Sequence, residues 1–562
     1  MSQTTSAAST RPTEESVGDA VARYLAEIGV THVFGVISIH NMPILDAILR
    51  QGRITFVPAR GEAGAMNMAD AFARVSRGLG VVVTSTGTAA GNAAGSQVEA
   101  LTAGSPVLHI TSQLDTIYMD RDRAAIHDVP KQPDMLKGVS KAYFRIWEGR
   151  GCIPTLQAAV SAALSAPSGP VSLEIPIDVQ RHTVAVPSII PKPAHAVVTP
   201  DAAQLDELAR LVRGARRPVI LLGGGSRGAS AAATGLVERG FCAVTSANGR
   251  AVVPEDHPRS LGAYNMTPET QKLYDEADLL IIAGSRLRGN ETRNNEMRFP
   301  RPVIQIDAEA SQGGRNFAVD LFIHGDARLA LEGLLERLPE RLETDSGFAA
   351  DFASARKKAE ANLEKGLGPY DVLARHLSQR VHAGGLPWVR DVTIGNSTFG
   401  NRYVRFAAPN LGVHALGGGI GQGIAMAIGA SFAAPQVKTI ALLGDGGAQL
   451  NIGEFATAVE NDCPIVYVMM NDKAYGVIQN IQDAQYEGRR AYSKLLTPDF
   501  SLVAASIGLR HERVMDIGAF AAAFDRALEV SGPTLLEVDM TVIGPYAVAF
   551  GGPPAGAAGG AK

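Results

Sequence analysis

Two apolar runs that each end in an acidic motif constrain the fold of this chain more than any other feature. Val437–Leu443 and Pro464–Met470 are typical of buried strands, and Ile452–Glu460 between them fits a helix. A strand–helix–strand unit of this kind forms a parallel sheet, so both runs end at the same edge. The first run is followed by Gly444-Asp445-Gly446, where a tight turn over Gly444–Gly447 is predicted, and the second by Asn471-Asp472. We therefore expect a ligand site with two carboxylates at the carboxyl edge of a parallel sheet.

These two motifs resemble the thiamine-diphosphate motif, in which Gly-Asp-Gly is followed by Asn-Asn after the next strand. In that family Mg²⁺ binds the motif Asp, the second Asn and a backbone carbonyl two residues further on. The resemblance implies metal ligands at Asp445, Asp472 and the carbonyl of Ala474, with the cofactor being thiamine diphosphate. This chain has Asp472 where Asn is usual, so Asn471 stays open as an alternative ligand. An Asp is still a hard oxygen ligand for Mg²⁺. Further contacts with the cofactor are implied at Gly444, Gly446, Gly447, Tyr475 and Gly476.

The composition excludes several classes of protein. The chain has 562 residues, 46% of them hydrophobic and 19% charged, which fits a soluble globular protein with large cores and a length sufficient for three domains. A net charge of −4 gives no basic field for nucleic acid. Three dispersed cysteines form no zinc or disulfide pattern and fit a reducing cytoplasm. No apolar run is long enough to span a membrane.

Alternating strand and helix patterns divide the chain into three α/β domains. Each is expected to hold a mostly parallel sheet flanked by helices, and the three together resemble the pyrimidine, middle and diphosphate domains of decarboxylase-like thiamine enzymes. Pro-rich and charged stretches separate the domains. The expected boundaries are a disordered leader at 1–13, a pyrimidine-binding domain at 14–185, a linker at 186–200, a middle Rossmann-like domain at 201–340, a connector at 341–368, a diphosphate-binding domain at 369–546 and a flexible tail at 547–562.

Glu62 is the candidate catalytic carboxylate. It follows the predicted strand Thr55–Val57 and begins the predicted helix near Ala63. A lone Glu at the start of a helix is usually a favourable partner for the helix dipole. The resemblance implies a sharper role, because the family's catalytic Glu bonds to the aminopyrimidine ring and drives removal of the C2 proton of thiamine.

Other segments resemble the parts of the family that enclose the cofactor. In the glycine-rich stretch 416–421, Ile420 would wedge between the two cofactor rings, and the Gly418 carbonyl would accept the 4′-amino hydrogen. Alternatively this stretch is only the start of a helix. Small polar residues after a short strand are expected to bind the diphosphate, although an ordinary helix cap explains them equally well; these are Gly395, Asn396, Ser397 and Thr398. In the turn at 86–92, Thr86 and Asn92 are expected to contact the cofactor.

Two histidines are candidates for proton transfer on the substrate side. His40 follows the first strand, at a place where benzaldehyde-lyase-like enzymes carry a His, and neutral imidazole can relay protons. His127 and Gln132 lie near the place where acetolactate synthases and benzaldehyde lyase have a Gln. For all three residues, an ordinary surface or loop position remains the alternative.

The reaction class follows from two absences within the resemblance. Ser85 stands near where benzoylformate decarboxylases keep a catalytic His, and Ile478 stands where pyruvate decarboxylases keep a Glu. An enamine carbanion without an efficient proton donor persists until a second carbonyl traps it. We expect a thiamine-diphosphate- and Mg²⁺-dependent lyase or carboligase that acts on small carbonyl substrates, namely a 2-oxo acid or an acyloin. A 2-oxo acid decarboxylase that releases aldehyde, or a flavin-dependent pyruvate-oxidase-like enzyme, remains as an alternative.

The resemblance also bears on other cofactors and on assembly. Acetolactate synthases hold FAD with a Gly-Met-His-Gly turn, whereas this chain has Gly262-Ala263-Tyr264-Asn265. FAD is therefore not expected. In the family the catalytic Glu and the metal-binding Asp come from different subunits, so a homodimer is the minimum unit and a homotetramer is expected.

Overall fold

A computed structural model describes residues 13–552 of the chain. The chain divides into two compact units, Met1–Ala196 and Val197–Lys562. Residues 1–12 and 553–562, which contain nearly all of the predicted leader and most of the predicted tail, lie outside the described residues.

The first unit contains a six-stranded parallel sheet and a two-stranded antiparallel ribbon. Its strands are β1 (Thr13–Ser16), β2 (His32–Gly35), β3 (Thr55–Pro58), β4 (Gly80–Thr84), β5 (Val107–Gln113), β6 (Ala142–Arg145), β7 (Val171–Pro176) and β8 (Thr183–Val186). Its helices are α1 (Val17–Glu27), α2 (Met42–Gln51), α3 (Glu62–Ser76), α4 (Thr88–Ala103), α5 (Gln132–Gly138), α6 (Cys152–Leu164) and α7 (Ile177–Arg181). The sheet order is β3-β2-β4-β5-β7-β6, and β1 pairs with β8. Strands β4, β5 and β7 are buried along their whole length, as parallel strands covered on both faces are.

The second unit begins with the middle domain, whose five-stranded parallel sheet has the order β10-β9-β11-β12-β13. The strands are β9 (Pro218–Leu222), β10 (Cys242–Thr245), β11 (Leu279–Ala283), β12 (Val303–Asp307) and β13 (Leu321–His324). The helices are α8 (Ala202–Gly214), α9 (Ser230–Arg239), α10 (Pro268–Glu276) and α11 (Ala327–Arg337). The long helix α12 (Ser346–Leu367) forms most of the predicted connector.

The third domain has a six-stranded parallel sheet in the order β15-β14-β16-β17-β19-β18. The strands are β14 (Trp388–Arg390), β15 (Gly412–His414), β16 (Thr439–Gly444), β17 (Ile465–Asn471), β18 (Arg510–Val514) and β19 (Thr534–Asp539). The helices are α13 (Asp371–Ala383), α14 (Gly423–Ala433), α15 (Asp445–Ala448), α16 (Glu454–Glu460), α17 (Gly476–Gln485), α18 (Phe500–Ile507), α19 (Phe520–Glu529) and α20 (Met540–Ile543). β16 and β17 are neighbours, so their carboxyl ends lie together.

The predicted α/β architecture with three parallel sheets is confirmed. One local prediction is wrong: Gly444–Gly447 is not a tight turn, because β16 extends to Gly444 and the next four residues form the helical turn α15. Two positions at the predicted boundaries are structured. Thr13 is already in β1, and in the described part of the tail the N–H of Val548 donates to the Gly366 carbonyl over 3.0 Å.

Candidate active site

A cavity of about 350 Å³ lies at the carboxyl edge of β16 and β17 in the second unit. This volume is within the range of small-molecule sites. Most of the diphosphate-side residues predicted from the sequence line it, and apolar side chains surround them. The lining residues are Val392, Thr393, Ile394, Ile420, Gly444, Asp445, Gly446, Gly447, Met470, Asp472, Ala474, Tyr475, Gly476, Val477 and Ile478.

Asp445 and Asp472 lie side by side in this cavity. The N–H of Asp472 donates to Oδ1 of Asp445 over 3.3 Å, and the hydroxyl of Thr497 donates to Oδ2 over 3.2 Å. Burial raises the pKa of both carboxyl groups. The charge of Asp445 and a hydrogen bond between the two carboxyls contribute further to the pKa of Asp472, which reaches about 7. A bound divalent cation would compensate both the burial and the repulsion of the two charges.

Asn471 is engaged elsewhere. Its amide donates to Oε1 of Glu537 over 2.7 Å, and its side-chain oxygen accepts the N–H of Lys473 over 3.1 Å. Glu537 is itself buried and accepts hydrogen bonds from His511 and Arg513. Burial alone would raise the pKa of Glu537, but these hydrogen bonds lower it on balance. Asn471 therefore anchors the end of β17, while Asp472 lines the cavity.

The glycine-rich stretch 416–421 passes beside the cavity and places Ile420 in its wall, with 39% of this residue exposed. Asp391, which directly follows β14, organises the end of the stretch. Its carboxylate accepts the N–H groups of Gly421 at 3.0 Å and of Gly423 at 3.2 Å. Burial raises the pKa of Asp391 to about 6, against the opposing effect of these N–H donors. Gly418 is exposed and does not line the cavity.

The predicted diphosphate segment after β14 forms a π-helical turn, Asn396–Gly400, preceded by a helical Gly395. The hydroxyl of Thr398 donates to the Ile394 carbonyl over 2.9 Å, and the N–H of Ser397 donates to the Thr393 carbonyl over 3.0 Å. Gly395, Asn396, Ser397 and Thr398 are thus next to the cavity, whereas the residues of this segment that line it are Val392, Thr393 and Ile394.

In the first unit, Glu62 is the first residue of α3 and is half-buried. The side-chain amide of Asn92, in the first turns of α4, donates to Oε2 of Glu62 over 3.1 Å. The structure therefore brings together two residues that were predicted separately, and Asn92 orients the candidate catalytic carboxyl group.

Thr86 and Gln132 belong to a buried polar network behind the start of α4. The Gln132 side-chain oxygen accepts the N–H of Gly87 at 2.6 Å and lies 3.1 Å from the Thr86 hydroxyl. Its amide donates to Glu174 over 2.6 Å. Glu174 is fully buried and also bonds to Arg145. Gln132 is fully buried as well, so its observed role is to fix the turn at Thr86 and Gly87.

His40 and His127 face each other with their ring centroids 5.3 Å apart in an edge-to-face arrangement. His127 is exposed and has a φ of 68°, and its carbonyl would lie 2.6 Å from a Cβ at Gly87, so only glycine fits there. Burial lowers the pKa of His40, the charge of His127 lowers it further, and Asp115 opposes both effects. His40 therefore favours its neutral form, which a proton relay needs.

The middle-domain turn Gly262–Asn265, which replaces the Gly-Met-His-Gly turn, is held by hydrogen bonds of Asn265. The Asn265 amide donates to the Glu291 carbonyl over 2.7 Å, and its oxygen accepts the hydroxyl of Tyr274 over 2.7 Å. The expectation that FAD is not bound stays a prediction.

The sequence did not point to several residues that support the predicted ones. The amide of Asn451 donates to the Gly421 carbonyl, and the side-chain oxygen of Gln113 accepts the Thr86 hydroxyl. The others are Thr497, Glu174 and Asp391. Only Asp391 could have been predicted from the sequence, because it is an acidic residue directly after a short buried strand. The others act through hydrogen bonds between segments far apart in the chain, which spacing does not reveal.

The donor set fits Mg²⁺ shared with a diphosphate. Residues 13–552 contain no group of three or more His, Cys, Asp and Glu side chains able to bind a metal on their own. Two carboxylates and a backbone carbonyl leave the remaining positions of an octahedron to phosphate oxygens and water.

In the described part of the chain, no helix has both the length and the apolar character needed to cross a bilayer.

Comparisons with known proteins match all three domains. The sequence matches the models of the thiamine pyrophosphate enzyme N-terminal TPP binding domain over residues 15–135, the central domain over 205–334 and the C-terminal TPP binding domain over 393–538.

Full-length relatives include proteins named for two different reactions. A "probable 2-ketoarginine decarboxylase" of Pseudomonas aeruginosa is 29% identical, with 93% of this chain and 94% of the relative covered. A "probable acetolactate synthase large subunit" of Methanocaldococcus jannaschii is 28% identical over 92% and 91%. The acetolactate synthase isozyme 3 large subunit of Escherichia coli is 27% identical over 94% and 95%.

Proposed function

Because the chain belongs to the thiamine-pyrophosphate-dependent enzymes of the acetolactate-synthase-like superfamily, we propose that it is a Mg²⁺-dependent carboligase or C–C lyase for a 2-oxo acid or an acyloin. When bound, the cofactor supplies the electron sink for a carbanion next to the carbonyl carbon. The protein supplies the metal site, the carboxyl group that activates the cofactor, and a cavity that excludes water.

The cavity lining carries this proposal. Its titratable side chains are Asp445, Asp472 and Tyr475, and the first two are assigned to the metal. Among the described residues that line the cavity there is no His and no Glu, and Ile478 lies on the wall formed by α17. This side of the site therefore gives a carbanion no acid beyond these groups, so its protonation depends on groups supplied by the first unit, and a second carbonyl can compete.

Each residue has a definite task in this proposal. Asp445, Asp472 and the Ala474 carbonyl bind Mg²⁺, since Asn471 is bonded to Glu537 and Lys473. Glu62, oriented by Asn92, would hold and transfer a proton at the aminopyrimidine ring of a bound cofactor. His40 and His127 move protons to and from the substrate hydroxyl.

We also propose that the site is completed by a second copy of the chain. Glu62 and Asn92, which form the Glu62 half-site, lie in the first unit. Asp445 and Asp472, which form the metal half-site, lie in the second unit. Large apolar side chains near the metal half-site are exposed in the single chain, including Leu450 at 55% and Ile478 at 46%. Exposed apolar surface next to a ligand site is typical of an interface. A homodimer, or a homotetramer built from it, would cover this surface.

The decisive experiment is a substrate panel. The purified chain with thiamine diphosphate and Mg²⁺ is incubated with a set of 2-oxo acids and acyloins, alone and in pairs, and CO₂, aldehyde and coupled product are quantified. The proposal expects coupled product from paired carbonyls, or cleavage of an acyloin, to exceed release of free aldehyde from a 2-oxo acid. A yellow protein with flavin absorbance would instead favour the pyruvate-oxidase-like alternative.

A 2-oxo acid decarboxylase is the second candidate. It is favoured by the relative named for 2-ketoarginine decarboxylation, which is 29% identical over nearly the whole chain. Stoichiometric CO₂ and aldehyde without coupled product would select this function over the first.

A further inference from the structure

The glycine-rich stretch that carries Ile420 is attached to the rest of the second unit at both ends. We propose that Arg288 of the middle domain is a positioning residue for this stretch, and that the middle domain thereby sets the place of Ile420 in the cavity wall. The inference rests on the proposed function, because it concerns the residue expected to hold the cofactor bent.

The first attachment comes from the middle domain. Arg288 lies in the loop after β11, directly before the short helical turn Gly289–Glu291. Its Nη1 donates to the carbonyl oxygen of Leu416 over 2.9 Å. Leu416 belongs to the third domain and directly precedes the glycines, so this bond fixes where the stretch begins. Hydrogen bonds from a charged donor are stronger than those between neutral groups.

The second attachment comes from the third domain itself. Asp391 accepts the N–H of Gly421, and the amide of Asn451 donates to the Gly421 carbonyl over 2.7 Å. Gly421 has a φ of 81°, in the left-handed region, and a Cβ there would lie 2.7 Å from Leu450. The end of the stretch is therefore fixed by groups beside the cavity.

Between the two attachments lie three glycines and Ile420. Glycine has the least conformational preference of all residues and has no side chain to pack. The N–H of Gly418 also donates to the Ala415 carbonyl over 3.3 Å, so the path of the stretch is decided by its bonds to neighbouring groups more than by its own side chains. Removing the bond at Leu416 should let Ile420 move while the proposed metal ligands Asp445 and Asp472, which directly follow β16 and β17, keep their places.

The test compares Arg288→Met and Arg288→Gln with Arg293→Met. Both variants at position 288 lack a donor that reaches Leu416. Arg293 is a matched control, because it lies in the same loop and donates from Nε and Nη2 to a backbone carbonyl, that of Met266 in the middle domain. Two different substitutions are made at position 288, because the test needs only one Arg288 variant that folds.

Two measurements are made on the full chain. Hydrogen–deuterium exchange of the peptide covering 416–423, without added cofactor, is expected to be about tenfold faster in the Arg288 variants and unchanged in Arg293→Met. With cofactor, kcat on the substrate found in the panel is expected to fall about tenfold in the Arg288 variants, while the Kd for thiamine diphosphate with Mg²⁺ changes less than about threefold.

Each outcome has a distinct meaning. Wild-type exchange rates at 416–423 in a folded Arg288 variant would overturn the positioning role, whatever the activity. Faster exchange together with a large loss of cofactor affinity would overturn the claim that the metal site stays in place. A wild-type chain that binds no thiamine diphosphate would refute the proposed function alone, because the exchange measurement does not use the cofactor.

Discussion

The side-chain amide of Asn92 donates to the carboxylate of Glu62 over 3.1 Å, and this bond joins the start of α4 to the start of α3. The carboxyl group that the sequence marks as catalytic therefore has one orientation set by a neighbour on another helix. Such support is what a catalytic group needs, because small misplacements reduce rates strongly.

Replacing Glu62 by Gln should reduce kcat by at least about 100-fold, the usual contribution of a general acid–base group. The Kd for thiamine diphosphate should change less than about tenfold, since an amide still hydrogen-bonds but does not exchange the proton. Asn92→Ala should cause a smaller loss. Steady-state kinetics and a binding titration measure both quantities, with Glu27→Gln as the control, an exposed carboxyl group paired with Arg53. Full activity of Glu62→Gln would exclude the assigned role.

Mixing two inactive variants tests whether the site forms between copies. If Glu62 and Asp445 of one site come from different chains, a dimer of Glu62→Gln with Asp445→Ala holds one intact site. Random reassociation should then restore about a quarter of wild-type activity. No recovery after verified subunit exchange would place both residues in the same chain's site.

The two carboxyl groups of the metal half-site should respond differently to neutralisation. Asp445→Ala should lower Mg²⁺-dependent affinity for thiamine diphosphate by at least about 100-fold, because the ion loses a charged ligand. Asp472→Asn should retain affinity within about tenfold, since the amide oxygen can still bind the ion and the like charge is removed. Calorimetric titration checks both, with Asp483→Ala as control, a carboxyl paired with Arg490 on the surface. Equal affinities for Asp445→Ala and wild type would eliminate the metal site.

Gly476 leaves no room for a side chain. A Cβ there would lie 1.8 Å from Oδ2 of Asp472, so Gly476→Ala must displace this carboxylate. We expect Mg²⁺-dependent cofactor affinity to fall by at least about tenfold, with little change in the melting temperature. Gly214→Ala at the end of α8 is the matched control, because a Cβ there meets no atom within 4 Å. Equal losses of cofactor affinity in Gly476→Ala and Gly214→Ala would show that the loss does not come from displacement of the Asp472 carboxylate.

The pKa of His40 predicts a pH dependence. Because burial and the nearby His127 lower this pKa below its ordinary value of 6.5, the unfolded chain binds the proton more readily than the folded one. The wild type should therefore lose free energy of unfolding, relative to His40→Gln, as the pH falls below about 6.5, and the difference between the two proteins should stay constant above that pH. Denaturant titrations from pH 5 to about pH 8 measure this. A difference that instead grows at high pH would contradict the lowered pKa.

The sequence by itself determined the three parallel sheets and the family. Buried parallel strands such as β4 and β9 are apolar runs, because burial on both faces leaves little freedom in composition. The sequence pattern predicts them at Gly80–Thr84 and Pro218–Leu222, which are their bounds in the structure. The positions of Asp445 and Asp472 were also predictable, since any residue that directly follows a parallel strand lies at the ligand-binding edge.

Only the tertiary structure decided how these residues are supported. It brought Asn92 to Glu62, bonded Asn471 to Glu537, and placed Gln132 in a buried hydrogen-bond network. It also revealed Arg288 and Asp391 at the two ends of the stretch that carries Ile420. Local patterns in a sequence report burial and backbone shape, whereas a hydrogen bond between distant segments depends on how whole elements pack, and no spacing along the chain encodes that.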